Sequence, residues 1–246
     1  MNVIFLGTNG WYDTETGNTV SVLIETEGQY IILDAGFGFY KVKEYIKSDK
    51  PVSLFVSHLH LDHIIGLHTL PLLNLKRGID IYVPKGMERP LRSLLKRPFT
   101  SSPLLIPTKL RYHEISDKQK YFTFFQSARL CHSVPCYGYR LNLDGAIITY
   151  CTDTGLCANL KRLADKADLF IAECAMAPDE KGPNLFHLTP QTAAKVAAES
   201  GARRLALSHF DPAKYPTLSH RENAERIAKR SFAETIAAVD GTTIVL

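Results

Sequence analysis

The sequence contains no apolar run approaching the roughly 20 residues that a membrane-spanning helix needs, which excludes a helical membrane protein. Its opening, MNVIFLGTNG, has neither the basic lead nor the small-residue end of a secretory signal, so a cytoplasmic location is expected. Cysteine is sparse: Cys131, Cys136, Cys151, Cys157 and Cys174 are odd in number and include no C-x-x-C pair. That spacing argues against a disulfide framework or a structural zinc knuckle and leaves free buried thiols. Charge of one sign is scarce as well. A formal net charge of +4 suits an anionic substrate but falls short of the clustered excess of a dedicated nucleic-acid binder. Linker-like low-complexity stretches and fixed-period repeats are absent, so the 246 residues, 45% of them hydrophobic, are expected to form one domain spanning 1–246.

What is present is an alternation of short apolar runs and helical periods. Strands are expected at Val3 to Leu6, Val20 to Ile24 and Tyr30 to Leu33, interrupted by the loop GTNGWYDTETGN. Phe39, Val42 and Ile46 share a helical face, Val52 to Val56 reads as a strand, and Ile64 to Leu73 reads as an amphipathic helix. The stretch from Leu110 to Cys151 is mostly strand-like. From Asn159 onward helices alternate with strands at Leu169 to Ala172, Leu205 to Leu207 and Thr242 to Val245. Within that half, TPQTAAKVAAESG carries a Thr189 cap, Pro190 at the first helical position and Gly201 as the stop. Strands accompanied by helices in both halves imply two packed sheets with helices on the outer faces. LFVSH and LALSH each place Ser-His at a strand's end, so the two halves read as related layers.

The chemistry concentrates in SHLHLDH, residues 57 to 63. His58, His60, Asp62 and His63 crowd one loop after an apolar strand, where imidazoles and carboxylates are costly to bury unless something binds them. Such a loop can give two ligands to one metal through His58 and His60 and two to a second through Asp62 and His63, a donor set that suits zinc or manganese. Two ions roughly 3.5–4 Å apart need more ligands than one loop provides. Further candidates stand at other strand ends: His132 in ARLCHSVP, Asp153 in TYCTDTG and His209 in LALSHF.

HLHLDH followed in order by His132, Asp153 and His209 resembles the metallo-β-lactamase superfamily over nearly the whole chain, and FLGTNG, ILDAG and CHSVPCYGYR are similar to its RNase Z-like branch. The resemblance implies an α/β fold: a four-layer αβ/βα sandwich of two mixed β-sheets flanked by helices, with two divalent metal ions, zinc or manganese, in a cleft at one edge. It implies His58, His60 and His132 on one metal, Asp62, His63 and His209 on the other, and Asp153 bridging both. Asp34 is expected behind the histidine loop, orienting it.

Glu173 in FIAECAM and His187 in NLFHLTP resemble the glutamate of the branch's HEAT motif and the histidine of its HST motif, although Ala172 replaces the first histidine and HLT replaces HST. The pair can act as a general acid, His187 giving a proton to a leaving alkoxide while Glu173 fixes its tautomer. With Asp62, these are the expected catalytic residues. Divalent ions lower the pKa of bound water and offset charge on a phosphoryl oxygen, so a phosphodiesterase is expected. A lactone or thioester hydrolase and a non-catalytic metal-stabilised binding protein are the alternatives. RNase Z holds tRNA with an arm between its GYR-like stretch and the bridging aspartate; here only LNLDGAIITYCT separates Arg140 from Asp153. A small cyclic phosphate or unstructured nucleotide is therefore expected rather than structured tRNA, and the resemblance also implies a homodimer.

Other features have plainer readings. Lys85, Arg89, Arg92, Lys96 and Arg97 form a solvated basic face, and His68, His113 and His220 lack ligand-like company. Tyr137, Tyr139 and Arg140 are open between packing and substrate contact, and GTNG is expected to be a turn bordering the cleft.

Overall fold

The computed structural model describes residues 1–101, 106–116, 124–180 and 186–246. Its first sheet contains β1 (Asn2–Gly7), β2 (Ser21–Glu25), β3 (Tyr30–Leu33), β4 (Val52–Phe55), β5 (Ile79–Pro84), β6 (Leu110–Ile115) and β13 (Thr243–Val245), in the order β13-β1-β2-β3-β4-β5-β6. The second contains β7 (Phe125–Arg129), β8 (Tyr137–Leu143), β9 (Ala146–Cys151), β10 (Leu169–Glu173), β11 (Leu205–Ser208) and β12 (Thr235–Ala237), in the order β12-β11-β10-β9-β8-β7. Both sheets are mixed. β3 to β6 run parallel, as do β9 to β12, whereas β13, β1, β2 and β3 pair antiparallel, as do β7, β8 and β9.

Side-chain alternation explains the layering. Val3 and Phe5 of β1, Val22 and Ile24 of β2, and Ile31 and Leu33 of β3 join Tyr139, Leu141, Ile148 and Ile171 of the second sheet in one apolar cluster between the sheets. The intervening Ile4, Leu6, Leu23 and Ile32 face outward against Phe39, Val42, Leu67 and Leu91. On the far side, α3 (Ala158–Ala164), α4 (Pro190–Ser200) and α5 (Leu218–Ala228) bury Leu160, Leu163, Val196, Ala197 and Ala224 against the second sheet. The result is the expected αβ/βα sandwich of four layers. Strands buried on both faces read as continuous apolar runs, which is why they stood out in the sequence.

Helix α4 begins as its residues predict. Thr189 Oγ1 accepts from Thr192 N–H at 3.2 Å, Thr192 Oγ1 accepts from Thr189 N–H at 2.8 Å, and Gly201 closes the helix at φ +65°. Two other expectations need correction. The helix expected over Ile64 to Leu73 is instead 3-10 turns at Leu61–His63 and Ile65–Leu72. Pro71 cannot donate to a preceding carbonyl, and Gly66 gives its N–H to Ala35 O outside the helix, so an α-helical ladder cannot propagate. The face shared by Phe39, Val42 and Ile46 is a 3-10 turn, Phe37–Lys41, followed by a single turn, α1 (Val42–Tyr45). Part of the strand-like stretch, residues 117–123, lies outside the described residues.

The connection between β8 and β9 is a two-residue hairpin turn, Asp144–Gly145, with φ values of +48° and +82°. Positive φ at both positions matches the twist of the flanking strands, and Asp-Gly is a preferred pair for it. Tyr139 and Arg140 pack rather than reach the cleft: Tyr139 Oη donates to Val56 O, and Arg140 donates to Leu163 O and Asp165 O. The basic segment from 85 to 97 includes the short helix α2 (Glu88–Leu94), where Arg92 pairs with Glu88 and lies 4.0 Å over the Tyr112 ring. All five cysteines are free; Cys136, Cys151 and Cys174 are buried, whereas Cys131 is exposed. Among the described residues no helix is long and apolar enough to cross a membrane.

Candidate metal centre and its surroundings

Parallel strands deliver the polar side chains to one edge of the sandwich. Asp34 follows β3, the histidine loop follows β4, Asp153 follows β9, Glu173 ends β10 and His209 follows β11. Crevices at the carboxyl ends of strands are where open α/β sheets bind ligands. Asp34, Asp153 and His209 all have left-handed backbone, with φ of +56°, +48° and +53°. Each turns the chain sharply as its strand ends, which holds the side chains of Asp153 and His209 in the cleft and that of Asp34 behind it. Such conformations cost about 1–3 kcal/mol each and persist only where the surroundings impose them.

Two groups of donors result. His58, His60 and His132 bring nitrogen atoms together within 4.8 Å, as do the ligand atoms of Asp62, His63 and His209. Asp153 lies between them: its Oδ2 is 3.0 Å from His63 Nε2 and 3.2 Å from His209 Nε2, whereas its Oδ1 is 3.8 Å from His132 Nε2. Thus the seven residues singled out in the sequence converge, one carboxylate facing both groups.

Hydrogen bonding behind the cleft prepares these atoms. His63 Nδ1–H donates to Asp34 Oδ2 at 2.8 Å, and His58 Nδ1–H donates to Ser57 Oγ at 3.0 Å, which in turn donates to Asp34 Oδ2 at 2.8 Å. Tyr150 Oη and the Ser57 N–H also donate to Asp34. Both histidines therefore turn their Nε2 atoms to the cleft. That of His58 is buried without any partner, and that of His63 sits 3.1 Å from His209 Nε2. A buried ring nitrogen without a partner, such as His58 Nε2, is unfavourable unless a cation takes its lone pair. The donor chemistry therefore fits divalent metal ions.

Titration behaviour reflects the same crowding. Burial lowers His58 well below the ordinary imidazole value, with His63 adding to the effect. Burial also acts to lower His63, but Asp62, Asp153 and Asp34 outweigh it and raise the group well above its usual range. Asp62 and Asp153 are held well below the carboxylate range because the surrounding histidines outweigh the burial that would raise them.

Across the cleft, His187 Nδ1–H donates to Glu173 Oε1 at 2.9 Å and lies 3.9 Å from Asp153 Oδ1. The Glu173 carboxylate is buried and also accepts the backbone N–H groups of Thr154 and Ala175. Burial acts to lower His187, but Glu173, then Asp153, carry it up to about 9.

Several contributors were not singled out in the sequence. Trp11 N–H donates to Asp62 Oδ2 at 2.8 Å from a backbone at φ +65°, and a Cβ at Gly10 would come within 2.5–2.9 Å of the His209 ring. The GTNG turn does border the cleft, and it is tied down from behind by Arg221. That buried side chain donates to Thr8, Asn9 and Thr16, while Asn9 Nδ2 donates to Tyr12 O, Thr14 Oγ1 and Gly17 O. Only the glycine and asparagine content of the loop hinted at this, and nothing in the sequence around Arg221 did. His113, expected to lack ligand-like company, belongs to no such donor group and pairs with Asp80 at 2.7 Å outside the cleft.

Residues 29–210 match the family model for a β-lactamase superfamily domain. Ribonuclease Z of Bacillus licheniformis is 27% identical over an alignment of 304 positions that covers 98% of this chain and 97% of that protein. Since this chain has 246 residues, the relative carries long insertions. Among solved structures, the metallo-β-lactamase fold protein YhfI of Bacillus subtilis superposes with a TM-score of 0.82 at 21% identity, covering 99% of this chain and 98% of that one. The short form of human tRNase Z gives 0.73 at 25% identity, covering 100% and 99%.

Proposed function

The chain belongs to the metallo-β-lactamase superfamily, in its RNase Z-like branch, and is a metal-dependent hydrolase; on that premise we propose that it is a phosphodiesterase acting on a small cyclic phosphate or unstructured nucleotide. The observation that carries this reading is the Glu173–His187 pair facing Asp153 across the cleft. In the proposed arrangement His58, His60 and His132 would hold one divalent ion and Asp62, His63 and His209 a second, with the Asp153 carboxylate, which faces both groups, available to each. Zinc is the first choice for these nitrogen-rich sets, and manganese the second. When bound, such ions supply a water acidic enough to attack at neutral pH and positive charge to offset that of the phosphate.

The chain's own residues do the rest. The Glu173 carboxylate holds the Nδ1 proton of His187, leaving Nε2 to carry the proton that a leaving alkoxide needs. A diester with a poor leaving group requires that proton, whereas thioesters and activated lactones require it less. Among the described residues, Asp62, Asp153 and Asp211 line the cleft beside one lysine, Lys214, whose ammonium is already paired with Glu180 at 2.8 Å. With that lysine paired and three carboxylates on its walls, the cleft offers an anionic substrate little side-chain cation beyond His187, so its binding depends on the cations.

Substrate size follows from the turn between β8 and β9. The ribonuclease Z relatives suggest an RNA phosphodiester, but the two-residue Asp144–Gly145 turn leaves no arm between Arg140 and Asp153 with which to grip a folded RNA. The cleft is about 360 Å³, within the roughly 300–1,000 Å³ of small-ligand sites.

The test is hydrolysis of bis(p-nitrophenyl) phosphate by zinc- and manganese-loaded protein, beside a chromogenic thioester and a lactone, with Asp62→Ala as control. Diester turnover that disappears in the variant is the expected result. Turnover confined to the thioester or the lactone would overturn the phosphodiesterase reading.

A further inference from the structure

Trp11 is the only tryptophan of the chain, and it is 71% exposed on the wall of the cleft that also contains Asp62, His60 and His209. Tyr12, itself 41% exposed, touches it, so the two rings form an exposed aromatic pair at the mouth of a polar site. The backbone is unusual too. Tyr12 N–H donates to Gly10 O across Trp11, whose φ is +65°, which is the strained form of the γ-turn and unusual for a bulky residue.

Several contacts force that conformation. Trp11 N–H donates to Asp62 Oδ2 at 2.8 Å, Gly10 N–H to Phe210 O at 2.8 Å, and Asn9 Nδ2 to Tyr12 O at 3.1 Å, while Arg221 anchors Asn9 from the core. The Tyr12 ring braces the indole edge-on, with centroids 5.5 Å apart and planes at 69°. An exposed indole is thus held on a rigid, strained support next to one of the carboxylates that line the reaction centre.

We propose that Trp11 is a stacking platform for a nucleobase, so that the substrate of this cleft is a nucleoside phosphodiester rather than a cyclic sugar phosphate. The inference rests on the phosphodiesterase reading and narrows it. Recognition of a sugar requires convergent hydrogen-bonding groups. Outside the donor sets and His187, the polar side chains described on its walls are Ser133, Asp211 and Lys214, the last paired with Glu180, whereas Trp11, Met176 and Phe186, which is 39% exposed with its ring 6.3 Å from that of His132, supply apolar surface. Planar stacking between an indole and a base is indifferent to base identity, so the platform would select nucleotides as a class.

Binding of AMP and of ribose 5-phosphate to the zinc-loaded protein separates base from phosphate, and the lone tryptophan reports directly. AMP is expected to quench the emission saturably, and ribose 5-phosphate is expected to leave it unchanged. By calorimetry, Trp11→Leu should weaken AMP roughly ten- to hundredfold and change ribose 5-phosphate less than twofold, while Trp11→Phe recovers part of the loss. The anchor to Asp62 is a backbone N–H and persists in both variants, so their metal content should match that of the parent.

Unchanged AMP affinity in Trp11→Leu, equal weakening of both ligands, or no saturable AMP binding at millimolar concentration would each overturn the inference. The diester assay is read separately. Hydrolysis of bis(p-nitrophenyl) phosphate by a protein whose Trp11→Leu variant binds AMP normally refutes the platform alone. No hydrolysis, together with base-selective binding through Trp11, supports the platform and refutes the diester.

Discussion

The Asp34 carboxylate accepts the Nδ1 proton of His63 at 2.8 Å, and the same oxygen accepts the Ser57 hydroxyl that receives the Nδ1 proton of His58. One buried oxygen therefore sets the tautomer of a histidine in each donor group. Both Nε2 atoms are aimed at the cleft by a single residue that touches neither group's convergence point.

Asp34→Asn should lower metal affinity at both groups together. An amide in place of the carboxylate cannot accept all of these protons, and loss of such an outer partner typically costs 10- to 100-fold in affinity. Competition with a chromophoric chelator measures this directly. Tyr150→Phe removes only one donor to Asp34 and should cost less than tenfold.

Gly10→Ala should act on one group only. The added methyl would lie within 2.9 Å of three atoms of the His209 ring, so the ring must move away from Asp62 and His63. The expected result is a protein that keeps one ion and loses the other, read as metal content per chain after dialysis against micromolar zinc.

The site was more legible than its supports. Four of the seven converging donors lie within six consecutive residues, and Asp153 and His209 each follow an apolar strand, a pattern that survives in the sequence because buried strands must be apolar and donors cannot be; His132 follows the half-polar β7 and is marked less clearly. Helix α4 was legible for a similar reason, since Thr189, Pro190 and Gly201 each satisfy a backbone requirement at a fixed place. The 3-10 run of Ile65–Leu72 misled because its apolar spacing imitates a helix, while the contact that forbids one, Gly66 N–H to Ala35 O, joins residues far apart. β12 is three residues long and, among the described residues, pairs only with β11, too short for any periodicity to announce it. Trp11 and Arg221 act through a backbone N–H and a buried guanidinium, and no local pattern specifies either.

Arg221→Leu should destabilise the protein and loosen the cleft wall. The guanidinium is 1% exposed, burial draws it down to about 10, and it remains charged at neutral pH while serving Thr8, Asn9 and Thr16. Removing it strands buried acceptors at about 1–3 kcal/mol each. Thermal unfolding of the metal-free protein should fall by several degrees, at about 2–4 °C per kcal/mol for a chain of this size. Arg221→Lys should not rescue it, because one ammonium cannot reach three partners in that geometry.

Metal removal should lower the melting temperature in proportion to occupancy. An ion held at a hundred times its dissociation constant adds about 2.7 kcal/mol, so chelation of one such site should cost roughly 5–10 °C. Asp153→Asn should shrink the shift, since this carboxylate faces both donor groups. An unchanged melting curve on adding a chelator to zinc-loaded protein would argue against these residues holding metal.

Finally, Glu173→Gln should move the basic limb of the pH profile for a diester with a poor leaving group. His187 is raised to about 9, with Glu173 the main upward influence against burial. A raised histidine keeps its proton below the unfolded value of ~6.5 and loses it as pH climbs through the folded value, so both the ion pair's contribution to stability and the acid form disappear in that window. Bound cations would draw the limb down from 9, but the comparison with Glu173→Gln in the same metal removes that common effect. Glutamine still accepts from Nδ1 yet carries no charge, so the limb should shift to lower pH with little change below it. A diester with a good leaving group needs no acid and should show no such shift in either protein, and His187→Ala should abolish the limb on the first substrate while sparing the second. Equal losses on both substrates would mean that His187 positions the cleft rather than donating a proton.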